Sequence, residues 1–174
     1  MTRFERTFDE RFRPHWVSYA LQSAFATASV FVVLAALRQQ NLVVAASLAA
    51  TAFTVFTMPS SVTASTRNVV GGHVVGLAFG SVFALFPQES VLAQDAMYAL
   101  AVGGAMLVMT ATNTEHPPAA GTALGVVIAG FSIRIVLGVV IGVVVLTLIH
   151  RLLRPTLRDL IAAPEQSGEP RQPA

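Results

Sequence analysis

Long apolar stretches alternate with short polar connections along the chain. The first and last stretches are long enough to cross about 30 Å of hydrocarbon, which takes about 20 helical residues, whereas the middle four are shorter. Six such segments in a row leave too little polar surface for a soluble fold, so the pattern predicts an all-α, polytopic transmembrane helical bundle that includes short or broken helices. The predicted segments are residues 16–37, 42–57, 69–86, 96–112, 119–130 and 132–150.

Composition supports a membrane protein and removes several other classes. Hydrophobic residues make up 54% of the chain and charged residues 11%, far below the roughly 25% charged fraction of ordinary soluble domains. The absence of cysteine excludes disulfides and cysteine-based metal sites. All basic residues are arginine, and no basic groove interleaved with aromatic residues is present, so nucleic-acid binding is not indicated.

The distribution of arginine predicts how the chain crosses the membrane, because cytoplasmic connections retain Lys and Arg. With six segments, only Arg38 and Arg134 fall on or near the outer side, and both termini are cytoplasmic. A five-segment alternative, in which residues 119–149 form one helix, would export three arginines near the C-terminus. The arginines predicted on the inner side are Arg3, Arg6, Arg11, Arg13, Arg67, Arg151, Arg154, Arg158 and Arg171.

The predicted organisation is a single transmembrane domain, residues 16–152. It is preceded by a cytoplasmic N-terminal segment, residues 1–15, and followed by a cytoplasmic tail, residues 153–174. From about residue 164 the tail is rich in Pro, Glu, Gln and Gly, a composition typical of disorder. A small subunit with many Gly-lined faces often needs partners to complete a packed interior, so we expect a homo-oligomer.

Two polar stretches interrupt the apolar pattern, and we call residues 59–64 the first elbow and residues 112–118 the second elbow. Pro59-Ser60-Ser61-Val62-Thr63-Ala64 aligns with Pro118-Ala119-Ala120-Gly121-Thr122-Ala123 at a constant offset. This alignment predicts two helix-loop-helix units in parallel orientation, with both elbows on one side of the membrane. Chance identity in an Ala/Thr/Gly-rich chain is the alternative. If the repeat is real, a binding site is expected between the two units, where helices break.

Prolines in the elbows predict helix starts, because proline stops a preceding helix and suits the first turn of the next. The free N–H groups of such a start, at the positive end of the helix dipole, favour a small anion. Ser60, Ser61 or Thr63 would add hydroxyl donors. A broken helix at membrane depth must be enclosed by protein or line a watery cavity. The alternative is that each elbow is an ordinary cytoplasmic turn.

Charged and titratable residues gather around the elbows. Arg67 is either a cytoplasmic anchor or an anion-binding guanidinium. His73 is either a hydrogen-bonded structural residue or a titratable pore group. It lies near the start of a GxxxGxxxG ridge, residues 72–80, that predicts close helix packing. Glu115 adjoins His116 and could instead pair with Arg67 across the two elbows, which would offset part of the cost of burying both charges.

The sequence carries no signature of a catalytic centre. Its scattered histidines lack metal-ligand spacing such as HExxH, and there is no nucleophile elbow, phosphate loop or dinucleotide fingerprint. No catalytic residue, metal ligand or cofactor is therefore predicted, and a membrane enzyme with His116 as acid or base is the minor alternative. The predicted substrate path comprises Ser60, Ser61, Thr63, Arg67, Asn68, His73, Asn113, Glu115, His116, Pro117, Pro118 and Thr122.

Two motifs resemble those of the HPP family of integral membrane proteins. The first runs from Pro59-Ser60-Ser61 through Arg67-Asn68-Val69-Val70-Gly71-Gly72-His73, with Thr66 where the family often has proline. The second is His116-Pro117-Pro118-Ala119-Ala120-Gly121-Thr122-Ala123-Leu124. The likeness covers about residues 42–130 in order and spacing. Plastid and cyanobacterial relatives are associated with nitrite transport, so the resemblance implies a transporter or channel for a small inorganic anion, with nitrite as the leading candidate.

Glu115 leaves two mechanisms open. An ionised carboxylate would repel nitrite unless it is paired, whereas a protonated one could couple anion movement to protons. A passive anion pathway and proton-linked transport through Glu115 and His116 are therefore both consistent with the sequence. The rival hypothesis is a non-transporting membrane sensor or scaffold in which the elbows are structural. In either case we expect an integral protein of the bacterial inner (plasma) membrane.

Overall fold

The computed structural model describes residues 12–37 and 41–161, and within them it confirms an all-α bundle with six helices. The helices are α1 (Phe12–Leu37), α2 (Leu42–Thr57), α3 (Thr66–Ala84), α4 (Val91–Ala111), α5 (Pro117–Ala129) and α6 (Ile133–Leu153). Short 3-10 turns occupy Val62–Ala64 and Arg154–Thr156. Most of the predicted N-terminal segment, Arg38 and the tail predicted to be disordered lie outside the described residues.

Helices α2, α3 and α5 form the centre of the bundle. α2 runs antiparallel to α5, because Asn41 at its start hydrogen-bonds to Gly125 while Thr51, further along, contacts His116 at the start of α5. α3 runs parallel to α5, and the two helices form the most extensive interface of the fold. Both elbows therefore lie on one side, which we call the elbow end, as the sequence predicts.

The described start of α1 and the chain after α6 also meet at the elbow end. The Tyr19 hydroxyl donates to the Leu160 carbonyl over 2.7 Å. The Gln22 amide donates to the carbonyl oxygens of Phe56 and Arg158. An even number of crossings brings both ends of the described chain to the same side, which agrees with six segments rather than five.

A sharp break at Gly130 separates α5 from α6. Gly130 has φ +77°, a conformation that L side chains rarely adopt and that glycine permits. Ser132 then stands at the N-cap of α6 in an extended conformation. Residues 119–149 are therefore two helices, and the five-segment alternative is wrong.

The helices differ in length in a way that encloses α5. The helices long and apolar enough to cross a membrane are Pro14–Ala35, Val91–Ala111 and the region Ile133–Thr156, whereas α2 and α5 have only 16 and 13 residues. At 1.5 Å per residue, α5 is about 20 Å long, shorter than the hydrocarbon layer. Because α2, α3 and α4 pack around it, the short helix is covered by protein for most of its circumference.

The glycine ridge of residues 72–80 packs against α5, which confirms the packing interpretation. A Cβ at Gly76 would collide with the Ala119 carbonyl oxygen, and one at Gly80 would lie 2.6 Å from the Ala123 carbonyl oxygen. Close approach of the two backbones therefore requires glycine at these positions. The ridge fixes α3 and α5 side by side and holds His73 against the start of α5.

The first elbow does not start a helix, which corrects the sequence-based expectation. After Pro59 the chain forms a turn and the Val62–Ala64 3-10 turn, and α3 begins only at Thr66 with Ser65 as its N-cap. In the second elbow, proline does occupy the first turn of α5. The aligned prolines thus have different positions relative to the helix starts, although the two helix-loop-helix units do share a parallel orientation.

The chain after α6 packs on the elbow end. Leu160 is buried, and its backbone N–H donates to the Thr57 carbonyl over 2.9 Å. Asp159 accepts a hydrogen bond of 3.0 Å from the Ser60 N–H. The first part of the predicted tail, residues 153–161, is therefore part of the folded domain.

Candidate functional site

Five buried polar side chains form one continuous hydrogen-bonded group in the centre of the bundle, and we call them the polar chain. Ser47 and Thr51 come from α2, His73 from α3, His116 from the N-cap of α5, and Thr122 from α5. Thr51, His116 and Thr122 are 0% exposed, His73 is 1% and Ser47 is 4%. Polar groups this far inside a membrane bundle are costly unless they are hydrogen-bonded, and these are.

Hydroxyl groups link the two imidazole rings. His73 Nδ1 lies 2.8 Å from Thr122 Oγ1, and His73 Nε2 lies 2.9 Å from Thr51 Oγ1. The same Thr51 hydroxyl lies 3.1 Å from His116 Nε2. The ring centroids are 5.2 Å apart, so Thr51 bridges the two histidines within one compact cluster.

Each end of the polar chain stops at a backbone carbonyl group. His116 Nδ1 lies 2.8 Å from the Thr63 carbonyl oxygen, which can only accept. At the other end, the Ser47 hydroxyl lies 2.7 Å from Thr122 Oγ1 and 2.7 Å from the Pro118 carbonyl oxygen. The hydrogen bond between His116 and the Thr63 carbonyl joins the two elbows, because Thr63 belongs to the first elbow and His116 to the second.

Prolines 117 and 118 determine which backbone donors the start of α5 offers, next to the buried His116. A helix normally begins with several unsatisfied N–H groups, but neither proline has one. The next N–H, that of Ala119, donates to the His116 carbonyl over 2.8 Å. The start of α5 therefore offers no free donor to an anion from these three residues, which corrects the expectation that the prolines leave backbone donors free.

Asn68 and the glycines of α3 hold the second elbow in place. Asn68 is buried and its side-chain amide donates to the Glu115 carbonyl over 3.1 Å. A Cβ at Gly71 would lie 2.8 Å from the Thr114 side chain, and one at Gly72 would lie 2.8 Å from His116 Cβ. Residues 68–72 therefore pack against the second elbow and position His116, which belongs to the polar chain.

The remaining predicted path residues lie around the elbow end rather than in the polar chain. Arg67 is exposed and donates from Nη2 to the Thr112 carbonyl over 3.0 Å. Within the described residues no ion pair joins Arg67 to Glu115, so the cross-elbow pair is not formed. Ser60, Asn113 and Pro117 are exposed, and Ser61, Thr63, Glu115 and Pro118 are half-buried.

A cavity of about 360 Å³ lies between α4 and α5 at the elbow end. Both Glu115 and His116 line it, so His116 borders this space and also belongs to the polar chain. Glu115 thus shares the cavity with the imidazole. The other lining residues are Met106, Met109, Thr110, Pro117 and Ala120.

Sequence reasoning found His73, His116 and Thr122 but missed Ser47 and Thr51 as site residues. These two lie one turn apart on the same face of α2, a short helix whose other polar residues are Thr54 and Thr57. That spacing is the signal that identifies them. Ser65, the N-cap of α3, was also missed. In the described part of the chain, no group of three or more His, Cys, Asp or Glu could hold a metal ion.

Comparison with known proteins places the chain in a family. Its residues 10–159 match the family described as HPP, transmembrane region. A transmembrane protein of Dictyostelium discoideum is 36% identical over 89 residues, which cover 51% of this chain and 31% of the relative. A second transmembrane protein of that organism is 37% identical over 78 residues, 45% of this chain and 25% of the relative.

The chain spans about a third or less of the length of these curated relatives. No solved structure gives a significant match. The family match covers most of the chain, including both elbows and all five residues of the polar chain. This protein therefore belongs to the HPP family of integral membrane proteins.

Proposed function

We propose that this protein is a transporter or channel that moves a small inorganic anion across the membrane, with nitrite as the leading candidate. The observation that carries the proposal is the buried pair of imidazoles, one of which borders a cavity at the elbow end. Ionisable and polar groups inside a membrane bundle are candidates for a substrate or ion pathway by default. Nitrite is named because of the family resemblance.

Arg67 is the proposed attraction point for the anion. It is the second residue of α3, it is exposed, and its guanidinium lies against the Thr112 carbonyl at the second elbow. A guanidinium at a helix start adds its charge to the positive end of the helix dipole, and such a field raises the local concentration of small anions. In this proposal the anion reaches the cavity beside Glu115 from Arg67.

Glu115 decides between two forms of the proposal. Because Arg67 is hydrogen-bonded to Thr112 rather than paired with Glu115, an ionised Glu115 would repel an anion in the cavity. Passive permeation then requires the carboxylate to turn away from the cavity. Proton-linked transport instead requires Glu115 to be protonated while the anion passes, and flux would then rise as the pH falls.

The proposed orientation places the elbow end in the cytoplasm of a bacterial inner-membrane protein. Arg67, Arg151, Arg154 and Arg158 belong to the elbow end, whereas Arg134 lies in the first turn of α6 at the opposite end. This asymmetry follows the positive-inside rule. We further propose a homo-oligomer, because α4 packs one side on α3 and α5 and leaves Leu100, Gly103 and Leu107 on its outer surface.

Nitrite flux into liposomes that contain the purified full chain tests the proposal. We expect flux above that of empty liposomes and a several-fold loss in Arg67→Ala. Arg134→Ala is the matched control, because Arg134 is also exposed and also the second residue of its helix, at the opposite end of the bundle. Wild-type flux equal to that of empty liposomes, across pH and membrane potential, would refute transport.

A non-transporting sensor or scaffold is the second candidate function. The observation in its favour is that both ends of the polar chain stop at backbone carbonyls, as in a purely structural hydrogen-bond network. The two candidates differ in the same experiment. A scaffold gives folded, reconstituted protein without flux, whereas a transporter gives flux that depends on Arg67.

A further inference from the structure

The Thr63 carbonyl fixes the hydrogen positions in the polar chain. A carbonyl oxygen only accepts, so His116 Nδ1 must carry the hydrogen of their 2.8 Å contact. In a neutral ring His116 Nε2 is then an acceptor, and the hydrogen it receives comes from the Thr51 hydroxyl, 3.1 Å away. The Thr51 hydroxyl also lies 3.0 Å from the Ser47 carbonyl oxygen. Its single hydrogen cannot form full hydrogen bonds to both His116 Nε2 and this carbonyl oxygen.

The direction of donation at Thr51 also fixes the hydrogen position on His73. Because the Thr51 hydrogen points to His116, the 2.9 Å contact between Thr51 and His73 must be filled by an Nε2–H of His73. A neutral His73 then accepts at Nδ1 from the Thr122 hydroxyl over 2.8 Å. The two rings therefore have opposite tautomers: Nε2–H for His73 and Nδ1–H for His116.

In its neutral form, the polar chain has six contacts in a row from the Thr63 carbonyl to the Pro118 carbonyl, but only five hydrogens to fill them. Each of the five side chains brings one hydrogen, and both terminal partners are carbonyl oxygens that bring none. With the Thr122 hydrogen directed to His73, the Ser47 hydrogen serves either Thr122 or the Pro118 carbonyl, each 2.7 Å away. One of these two contacts remains without a hydrogen.

We propose that the polar chain is a proton-binding site that takes up one proton and reverses its hydrogen bonds when it does so. With the proton on His116, Nδ1–H still donates to Thr63 and Nε2–H donates to Thr51. Thr51 then donates to His73 Nε2, His73 Nδ1–H donates to Thr122, Thr122 donates to Ser47, and Ser47 donates to the Pro118 carbonyl. Every contact between the terminal carbonyls then has one hydrogen.

The geometry offsets the cost of the added charge. A buried cation is costly unless all its donors are hydrogen-bonded, and both N–H groups of a protonated His116 have acceptors within 3.1 Å. No bond other than O–H, N–H and hydrogen bonds changes, and the tautomer of His73 shifts without a ring flip. Protons reach the site through the cavity that His116 lines together with Glu115.

Few other titratable groups surround the site. α2 has none, and Glu115 is the acidic residue that shares a cavity with His116. On α4, Asp95 and Tyr98 lie in the half of the helix remote from the elbow end. The charged or titratable residues on the elements packed around the polar chain are Arg67 on α3, Asp95 and Tyr98 on α4, Glu115 before α5, and Arg134, His150 and Arg151 on α6.

Nitrogen-15 NMR of histidine-labelled full-length protein in lipid bilayers tests this proposal. His15→Gln and His150→Gln variants assign the two signals outside the polar chain. At high pH we expect Nε2–H on His73 and Nδ1–H on His116. On acidification His116 should become doubly protonated and His73 should convert to Nδ1–H in the same transition, with one proton taken up per chain.

Thr51→Val and Thr54→Val form a matched pair of variants. Both threonines lie buried on α2, and each hydroxyl oxygen lies 3.0 Å from the carbonyl oxygen four residues earlier, but Thr51 also contacts the imidazoles. We expect Thr51→Val to uncouple the His73 tautomer change from His116 protonation, and Thr54→Val to behave as wild type. Helical circular dichroism should be unchanged in both.

Three results would overturn the proposal. They are identical tautomers on His73 and His116 at high pH, changes of the two rings in separate transitions, and rings that both stay neutral over the whole pH range in which the protein keeps its helical circular dichroism. None of these measurements depends on nitrite flux. Loss of the proposed transport and loss of the proton site are therefore distinguishable.

Discussion

The two elbows lie side by side yet begin their helices in different ways. α3 begins with a serine N-cap: Ser65 accepts a hydrogen bond from the Asn68 N–H over 3.3 Å and donates to the Asn68 side chain over 2.9 Å. α5 begins after His116, which makes no side-chain cap, and continues with two prolines. One start satisfies a backbone donor with a hydroxyl group, while the other lacks the donors of its first two residues.

This difference shows how a helix can begin inside a membrane bundle. An N–H group without a partner is most costly where water is excluded. Removing the donors with Pro117 and Pro118 frees the His116 side chain from capping, so that its ring can contact Thr63 and Thr51 instead. The His-Pro-Pro sequence is thus a way to place a buried imidazole at a helix start.

The largest effect is expected from His116→Ala. This substitution removes both hydrogen bonds of the ring, leaves the Thr63 carbonyl without that partner and opens a cavity at a 0% exposed site. We expect a loss of about 3 kcal/mol in the free energy of unfolding. Reversible unfolding in mixed micelles measures it, and a loss below that of Ser65→Ala would contradict the contrast between the two helix starts.

Pro118→Ala should have an intermediate effect. Alanine adds an N–H to the first turn of α5, next to the 0% exposed Ala119. An added donor without a partner costs about 1–3 kcal/mol in a buried setting. The same unfolding assay measures it, and an unchanged or higher stability would show that the missing donors do not stabilise the start of α5.

The smallest effect is expected from Ser65→Ala. Loss of a serine N-cap costs about 1 kcal/mol, and the half-buried position of Ser65 gives water some access to the freed N–H. Ser65→Asp restores an acceptor at the N-cap and should recover most of the loss. If the aspartate variant were no more stable than the alanine variant, the cap would not be the cause.

Some of this arrangement follows from sequence patterns. Apolar segment lengths predict the all-α membrane bundle, and arginine placement favours six segments over five. The prolines predict the start of α5. Periodicity in the glycines of residues 72–80 predicts a close helix contact, although only the structure identifies α5 as the neighbour.

Other features depend on the tertiary fold. Pro59 and Pro118 align in the sequence, which suggests that each begins a helix in the same way. In the structure, however, Ser65 caps α3, which begins seven residues after Pro59. Thr51 lies 22 and 65 residues from the two histidines it bridges, so no local pattern reports the contact. Arg67 and Glu115 have opposite charges, yet the Thr112 carbonyl takes the guanidinium hydrogen bond.

The central claim is that the polar chain is enclosed while the surface around it at the elbow end is open. Because the natural chain has no cysteine, single cysteines at Thr122 and Asn113 report accessibility without background labelling. Thr122 is 0% exposed, and Asn113 is exposed at the second elbow. With a membrane-impermeant maleimide in vesicles opened to both sides, we expect Asn113→Cys to react rapidly and Thr122→Cys to remain unlabelled until the protein is denatured. Equal labelling rates at the two positions would contradict the account.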